Sequence, residues 1–419
     1  MDLPPSKTVA PSPRRPVDPP CRCLVALSLA FGLSMAATPS AGALDFGPIS
    51  LTGLAKIEGV RRSPACPSDR CERNPTFSED PGGAGEFTQR ANLASAYNYG
   101  TYFQPTVNAD FDLRGGLKLS GVLSRRWSSG NRHFWYDRRI GLEHEDWGSV
   151  NIGTMPTRAL QLANDPFGGD ISLAEGWSSG GTGYQLLPRA VRITSRRFGV
   201  LEGDAILEAT VNRDDTGWRG ERQQAYEAWI HFGSRDWSVD VLLQNARGLM
   251  RNWLISGPIF APYFESSNKD SVDRLRQGMA MTQLRWRYTT KIELLSGLRV
   301  NRWGVDAPTG QSARTMDLLI GTRYTVSRWT ASLVGVRLGQ GSMTSDRKLG
   351  PSHSGAVGIF QLTYLLRKGA SLYGLVGAAK STQPNPADLG APANIAPPNT
   401  DASLDRSGHR ISGGVVYRF

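Results

Sequence analysis

Long hydrophobic runs are missing from most of this sequence. Beyond residue 43, the 419-residue chain never reaches the ~18 uninterrupted apolar residues that a membrane-spanning helix needs. Its mean hydropathy is −0.33, and glycine is abundant at 47 residues. These properties exclude a helical membrane protein, and taken alone they describe a soluble, basic protein. The two ends of the chain contradict that description.

Histidine is also scarce, and the five in the chain are His133, His144, His231, His353 and His409. A hydrolase needs a nucleophile that is activated by a base and oriented by a third group. The strand positions in this sequence bring no serine, histidine and acid together. We therefore predict that the protein is not an enzyme and uses no cofactor.

The N-terminus has the three regions of a secretory signal peptide. Four basic residues precede an apolar run from Leu24 to Ala37, and small residues follow at Ala41, Gly42 and Ala43. Fourteen apolar residues are too few to cross the hydrocarbon core as an anchor. We predict a signal peptide over residues 1–43, cleaved after Ala43, and a single mature domain over 44–419.

Cleavage changes the charge and the cysteine content. It removes four basic and two acidic residues from totals of 48 and 37, which leaves a formal charge of +9. The basic residues are scattered and form no contiguous run, so nucleic acid is not a predicted partner. Of the four cysteines, only Cys66 and Cys71 stay in the mature chain. A close pair in an exported protein predicts a disulfide, and no further ligands lie nearby to favour a metal site.

Segments of about ten residues alternate apolar and polar side chains with the period of a β-strand. In the first, Ile49, Leu51 and Ile57 lie on one face, opposite Lys56 and Glu58. Similar segments begin near residues 107, 237 and 280. Charge on the polar face of nearly every segment is typical of a transmembrane barrel that is polar inside and apolar outside.

The connections between these segments alternate in length, as in bacterial barrels. The short ones lie at 114–116, 145–148, 199–203, 233–236, 289–291, 325–328 and 367–369. The long ones cover roughly 60–104, 127–133, 156–188, 214–222, 248–276, 304–313, 339–354 and 382–406. Eight loops and seven turns predict an all-β fold, an antiparallel barrel of about sixteen strands. In the alternative, the segment 87–99 forms a strand of its own and the barrel has eighteen strands.

The last residues alternate Gly413, Val415, Tyr417 and Phe419 onto one face and end in an aromatic side chain. This ending resembles the signal by which the outer-membrane assembly machinery recognises the last strand of a barrel. An aromatic residue at this position suits the girdle at the membrane interface. The barrel-assembly machinery is therefore a predicted partner.

Three stretches carry a resemblance to the sixteen-stranded general porins of β-proteobacteria, over essentially the whole mature chain. They are residues 112–118 (DLRGGLK), 141–153 (GLEHEDWGSVNIG) and 364–373 (YLLRKGASLY). The second differs from the family at Thr154, where a basic residue is customary. The resemblance implies a passive diffusion pore for small hydrophilic solutes in the outer membrane of a Gram-negative bacterium, in contact with lipid and lipopolysaccharide.

The resemblance also implies a homotrimer and a constriction. Strands at both chain ends form the subunit contacts of the family, and Gly53 and Ala55 are small enough for a close approach. The third loop, Pro156 to Pro188, folds into the lumen in such porins; an ordinary surface loop is the alternative. Its acidic residues Asp165, Asp170 and Glu175 would face inward basic residues, for which the candidates are Lys118, Arg126, Arg139, Arg192 and Arg410, with Arg196 also inward by parity.

Since these basic residues outnumber the loop acids, we expect an anion preference. Thr154 and the inward acids Asp110, Asp112 and Glu143 weaken that balance. For each arginine, a role in tying the loop to the wall is the alternative. The alternative function is a substrate-specific channel on the same barrel, for an organic anion, phosphate or a sugar.

Overall fold

The computed structural model describes residues 44–62, 97–128, 133–164, 167, 177, 186–200, 203–214, 223–247, 275–305, 312–345, 348–349, 353–383 and 404–419. Most of these residues are in β-strands. Within the described residues, no helix is long and apolar enough to cross a bilayer.

Sixteen long strands form one antiparallel sheet in which each strand pairs with the next along the chain. The strands are β1 Ile49–Arg62, β2 Tyr97–Asp112, β3 Leu117–Ser128, β4 His133–His144, β5 Gly148–Pro156, β6 Leu186–Ser195, β7 Gly203–Asp214, β8 Gln223–Gly233, β9 Trp237–Arg247, β10 Leu275–Arg287, β11 Ile292–Val305, β12 Ser312–Val326, β13 Trp329–Ser345, β14 His353–Arg367, β15 Ala370–Gln383 and β16 Leu404–Arg418. The sheet closes where β16 pairs with β1, from Arg410 opposite Arg62 to Arg418 opposite Leu54. The predicted sixteen-stranded barrel is confirmed.

Three short strands, Leu44–Asp45, Phe198–Val200 and Lys348–Leu349, extend this sheet. The first lies beside β1, with Leu44 opposite Leu51. The second continues the pairing of β6 with β7 beyond a break at the end of β6. The third pairs with the end of β13.

The two chain ends meet at the closure of the barrel. Gly53 and Phe419 exchange backbone hydrogen bonds of 2.8 and 3.1 Å. A Cβ atom at Gly53 would lie 2.5 Å from the Phe419 ring, which is itself 8% exposed. Glycine at position 53 therefore leaves room for the C-terminal aromatic ring.

Side chains alternate between a buried face and an exposed apolar face, as the period-two pattern predicted; the buried face carries most of the polar side chains and, from β9 to β15, also a hydrophobic cluster. The polar face includes Glu58, Asp137, Glu208 and Asp317, all buried. The apolar face exposes large hydrophobic side chains, among them Leu243, Ile320 and Leu333. We call these the polar face and the apolar face.

Short turns join the strands at one end of the barrel, as expected. The β2–β3 turn is a 3-10 turn, Arg114–Gly116, in which Gly115 and Gly116 have φ values of 75° and 76°. Residues with a Cβ atom rarely adopt this conformation, so the two glycines permit the tight reversal. Trp147, Trp237, Trp286 and Trp329 lie at or beside such turns and are 40–47% exposed, like the aromatic girdle of a membrane barrel.

Two boundaries differ from the sequence analysis. Strand β2 begins at Tyr97, so residues 97–104, which we placed in the first long loop, belong to the barrel. Pro105 lies inside this strand opposite Gly53 of β1, while the pairing with β3 is interrupted at Gln104 and Pro105. Proline has no N–H to donate, which explains the local gap. Strand β13 extends to Ser345, where we had begun a loop at 339.

Candidate functional site

The segment that joins β5 and β6 contains a short helix, α1, Arg158–Asn164. We call residues 157–185 the β5–β6 segment; the described part of it is 157–164, Phe167 and Trp177. Thr157 begins the helix, because its Oγ1 accepts a hydrogen bond of 3.1 Å from the Leu160 N–H. The sequence predicted a loop from Pro156 to Pro188 and no helix within it. Thr157 followed by a run rich in alanine and leucine was the available signal.

Glu227 of β8 holds the start of α1 against the polar face. Its two carboxyl oxygens accept the backbone N–H groups of Arg158 and Ala159, at 2.9 and 3.2 Å. Gln244 of β9 donates a third hydrogen bond of 3.0 Å to the same group. The side chain of Glu227 is buried, so these bonds replace the water that it loses.

Arg158 fixes the same end of the helix to β7 and β8. Its guanidinium pairs with Glu208, with Nε 3.0 Å from Oε1, and lies 4.2 Å from the centre of the Trp229 ring. Glu208 also accepts a 3.1 Å hydrogen bond from Thr194. Arg158 was not among the sequence candidates, because it lies on the segment itself rather than on a strand.

Arg192, a sequence candidate, lies beneath this end of the segment and is 4% exposed. It donates to the backbone oxygen of Pro156 at 2.8 Å and to Thr210 at 2.9 Å. Its nearest carboxylate is Glu208, at 3.2 Å. These contacts match the alternative considered above, in which an inward arginine ties the segment to the wall.

The middle of the segment packs on strands β9 and β10. Gln283 donates a 3.0 Å hydrogen bond to the backbone oxygen of Leu162. Ala159 and Ala163 are fully buried in the same hydrophobic cluster as Leu242 and Met281. Apolar packing and a single backbone contact hold this part.

Phe167 is seated on β12. A Cβ atom at Gly321 would lie 2.9 Å from its ring, so the ring depends on glycine at that position. Arg323 donates to the backbone oxygen of Phe167 at 2.7 Å and also pairs with Glu293 of β11.

Trp177 is seated on β11 in the same manner and is fully buried. A Cβ atom at Gly297 would lie 3.1 Å from its ring. Arg299 donates to the backbone oxygen of Trp177, and its guanidinium lies 4.5 Å from the ring centre. Asp317 of β12 fixes Arg299 through contacts of 2.7 and 2.8 Å. The described part of the segment thus touches the polar face from β7 to β12.

The other basic candidates lie away from these contacts. Arg139 pairs with Asp137 at 2.9 Å on β4. Arg126 donates to Gln104 at 2.9 Å and lies 4.0 Å from the Tyr136 ring centre. Lys118 lies one residue beyond the β2–β3 turn and is 3.7 Å from Asp110.

Some predictions concern residues that the structure places elsewhere or does not describe. Arg196 is exposed between β6 and Phe198–Val200, near the turn, rather than at mid-barrel. For Arg410 only the backbone pairing with Arg62 is described. Outside the described residues are the loop acids and the cysteine pair, namely Asp165, Asp170, Glu175, Cys66 and Cys71.

Three ion pairs of the polar face are asymmetric in exposure, whereas Arg192–Glu208 and Arg299–Asp317 are buried on both sides. The side chain of Arg139 is 26% exposed and that of its partner Asp137 only 9%. Arg158 is 23% exposed against 2% for Glu208, and Arg323 is 26% exposed against 13% for Glu293. In these pairs the guanidinium, rather than the carboxylate, is turned toward the solvent.

The wall formed by β1, β2 and β3 has a different character. Hydroxyl and amide groups bond to each other there, with Thr106 to Ser124 at 2.8 Å and Gln104 to Ser124 at 3.0 Å. Asn108 donates to Thr52 at 3.2 Å on the same face. Across the ranges that the structure covers, no group of three or more His, Cys, Asp and Glu side chains suits a metal ion.

Solved structures with the same architecture include a porin and other outer-membrane proteins. An OmpT trimer form from Vibrio cholerae matches with a TM-score of 0.59 and 12% identity, over 90% of this chain and 100% of its own. The anion-selective porin from Comamonas acidovorans matches with a TM-score of 0.57 and 11% identity, over 88% and 99%. OmpF of Salmonella typhi, in complex with daunomycin, matches with a TM-score of 0.56 and 10% identity, over 90% and 100%. The fold is a porin barrel.

At these identities, the likeness of this porin barrel to the solved structures concerns the fold alone. No protein-family model and no curated protein matches the sequence.

Proposed function

We propose that this protein is an outer-membrane porin that lets small hydrophilic solutes and ions diffuse passively through a water-filled lumen. The observation that carries this proposal is the set of contacts from the described residues 158–164, Phe167 and Trp177 to the polar face of β7 to β12. A closed barrel of this size without such a segment would enclose a wide aqueous channel. The segment is then the constriction, folded inward as in the β-proteobacterial general porins.

Reconstitution in a planar bilayer tests this proposal. We expect stepwise, ohmic conductance that rises with salt concentration and persists without any added substrate. A protein that inserts, as judged by protease protection, but gives no steps would contradict it.

The exposure asymmetry of the ion pairs supports a preference for anions. Permeating ions would meet the guanidinium groups of Arg139, Arg158 and Arg323, while the partner carboxylates lie deeper in the wall. Screening at about 0.15 M salt limits electrostatic reach to ~8 Å, so the groups at the surface decide the sign. In a salt gradient we expect an anion-selective reversal potential; a cation-selective one would overturn this assignment.

A sugar-selective channel is the second candidate, and the hydroxyl and amide groups of β1–β3 favour it. Thr52, Gln104, Thr106, Asn108 and Ser124 offer donors and acceptors without charge. Liposome swelling separates the two functions. A general porin admits neutral sugars and organic anions according to size, whereas a specific channel admits one class much faster than its size predicts.

Export and assembly complete the proposal. Residues 1–43 would be removed as a signal peptide, and the strand ending in Phe419 would be read by the barrel-assembly machinery. N-terminal sequencing of an outer-membrane fraction should then begin at Leu44, and a retained first segment would refute cleavage.

We also propose a homotrimer, the assembly described for the OmpT trimer form from Vibrio cholerae. Native mass measurement in mild detergent should give three chains, dissociated by heating. A monomer before heating would count against it.

A further inference from the structure

Two arginines lie directly opposite each other on the apolar face. Arg302 of β11 pairs with Arg314 of β12, and both side chains are exposed. Directly opposed residues on one face have Cβ atoms about 4.5–5.5 Å apart, and like charges there destabilise the sheet. Arg247 of β9 and Arg337 of β13 are also exposed on this face. We call these four residues the arginine patch.

The carboxylates of these strands are engaged elsewhere. Strands β9 to β13 contain only three acidic residues, all on the polar face: Asp240, Glu293 and Asp317. Within the described ranges, none of the four arginines of the patch forms an ion pair. Among the described residues, no carboxylate offsets the repulsion between Arg302 and Arg314, so an anion bound between them would relieve it.

Arg302 and Arg314 lie at the level of the membrane surface on the side of the long loops, whereas Arg337, opposite Leu318, lies four residues closer to the other interface. Tyr324 and Trp329 mark the opposite interface, beside the β12–β13 turn, and are 44% and 47% exposed. Arg314 precedes Tyr324 by ten residues along β12. At about 3.3 Å per residue and a strand tilt of about 40°, this separation corresponds to roughly 25 Å, the height of the apolar band of such barrels.

A shallow groove of about 450 Å³ adjoins the patch on β8 to β11. Ala228, Gly278 and Ala280 leave it open, and the larger Leu243 and Val300 flank it. Arg302 also lines it. An apolar groove that ends at a cationic side chain has the form expected for an acyl chain below a negatively charged headgroup.

We propose that the arginine patch and this groove bind lipid A, the phosphorylated glycolipid of the outer leaflet, with one phosphate between Arg302 and Arg314 and an acyl chain over Ala280. The inference rests on the proposed outer-membrane location. Guanidinium groups bind phosphate in a bidentate manner, which suits two arginines at this spacing. Strands β8 to β12 also lie at least four strands away from β1 and β16 around the barrel, and would thus face lipid in the proposed trimer.

The test is native mass spectrometry of the purified protein with added diphosphorylated lipid A. We expect the double variant Arg302→Gln/Arg314→Gln to bind at least about tenfold more weakly than the unmodified protein, because charge-assisted hydrogen bonds to phosphate are lost. Arg328→Gln, an exposed arginine in the β12–β13 turn, is the matched control and should bind normally. Unchanged binding by the double variant would overturn the proposal, as would an equal loss in the control.

Further arms test the headgroup and the groove. Monophosphorylated lipid A should bind more weakly than the diphosphorylated form, and phosphatidylglycerol should not compete; equal competition by it would refute the assignment to lipid A. Ala280→Phe, which fills the groove, should weaken lipid A binding while leaving the arginines in place. Unchanged binding would refute the placement of the acyl chain in the groove.

Arg302→Glu provides a variant that should fold at least as well as the original, because it places a carboxylate opposite Arg314. We expect it to lose lipid A binding and to raise the unfolding temperature in neutral detergent; binding retained by this variant would again refute the proposal.

Conductance measured on the same preparations separates the two hypotheses. A loss of lipid binding with normal conductance leaves the pore proposal intact, and absent conductance in every variant refutes the pore alone.

Discussion

Replacing Glu227 by glutamine should loosen the β5–β6 segment without altering the size of the side chain. The carboxyl group accepts hydrogen bonds from Arg158 N–H, Ala159 N–H and Gln244 Nε2. Glutamine keeps one of the two oxygens and turns an NH₂ group toward a donor. If the remaining oxygen keeps the Ala159 and Gln244 bonds, the Arg158 N–H loses its acceptor and the buried Arg192 guanidinium, 3.8 Å from Oε2, loses a charged partner.

The magnitude follows from these contacts. Each unsatisfied buried group costs about 1–3 kcal/mol, so Glu227→Gln should destabilise the seated segment by about 3 kcal/mol in total. Since 1.4 kcal/mol is a factor of ten, the displaced population should rise about 100-fold. In single-channel records at fixed voltage, this rise should appear as frequent transitions between conductance levels that are rare in the unmodified pore.

Asp240→Asn is the matched control for this measurement. Asp240 is also on the polar face, but it bonds to Trp229 and His231 and makes no described contact with the segment. We expect quiet, unchanged conductance from it. Identical records from Glu227→Gln and from the unmodified protein would refute the role assigned to Glu227.

Three further outcomes are expected. Arg139→Gln/Arg285→Gln should shift the reversal potential toward zero, most visibly at low salt, because both side chains are partly exposed and neither contacts the described segment; an unchanged potential would place the selectivity elsewhere. Gly321→Val should displace the Phe167 ring that lies over it, cost about 1–3 kcal/mol through overpacking and raise the mean conductance. A Cβ atom at Gly358 would meet no other atom, so Gly358→Val should leave the conductance unchanged. Thiol labelling of the non-reduced protein should find Cys66 and Cys71 blocked, and free thiols at both would contradict the predicted disulfide.

The barrel could be predicted from sequence because its signals are local. A period of two in the side chains and an alternation of short and long connections depend only on neighbouring residues. The start of β2 was predicted too late, because residues 97–104 were placed in the first long loop, just before Pro105. Its strand continues because the ladder to β1 is formed on both sides of the proline, opposite Gly53.

The site could be predicted only in part, because it depends on contacts between distant strands. The alternation of side chains along the strand predicted that Arg192 points inward, as it does. Its carboxylate partner Glu208 lies on another strand and was not considered. The excess of inward basic residues over loop acids predicted uncompensated positive charge in the lumen, whereas Arg139 and Arg192 form ion pairs with Asp137 and Glu208. Nothing in the sequence distinguishes Gly297 and Gly321, which contact the Trp177 and Phe167 rings, from the other glycines in the strands.

The distances along the chain between the segment and its partners have a consequence for assembly. Leu162 contacts Gln283, 121 residues later, and Phe167 contacts Arg323, 156 residues later. Contacts across such separations close large loops and are expected to form late. The nascent barrel should therefore pass through a stage in which its strands are paired up to β9 or β10 and α1 is held by β7 and β8, while Phe167 and Trp177 are not yet seated. The narrow aperture is then among the last features to form, and a defect in β11 or β12 would yield a barrel that is inserted but leaky.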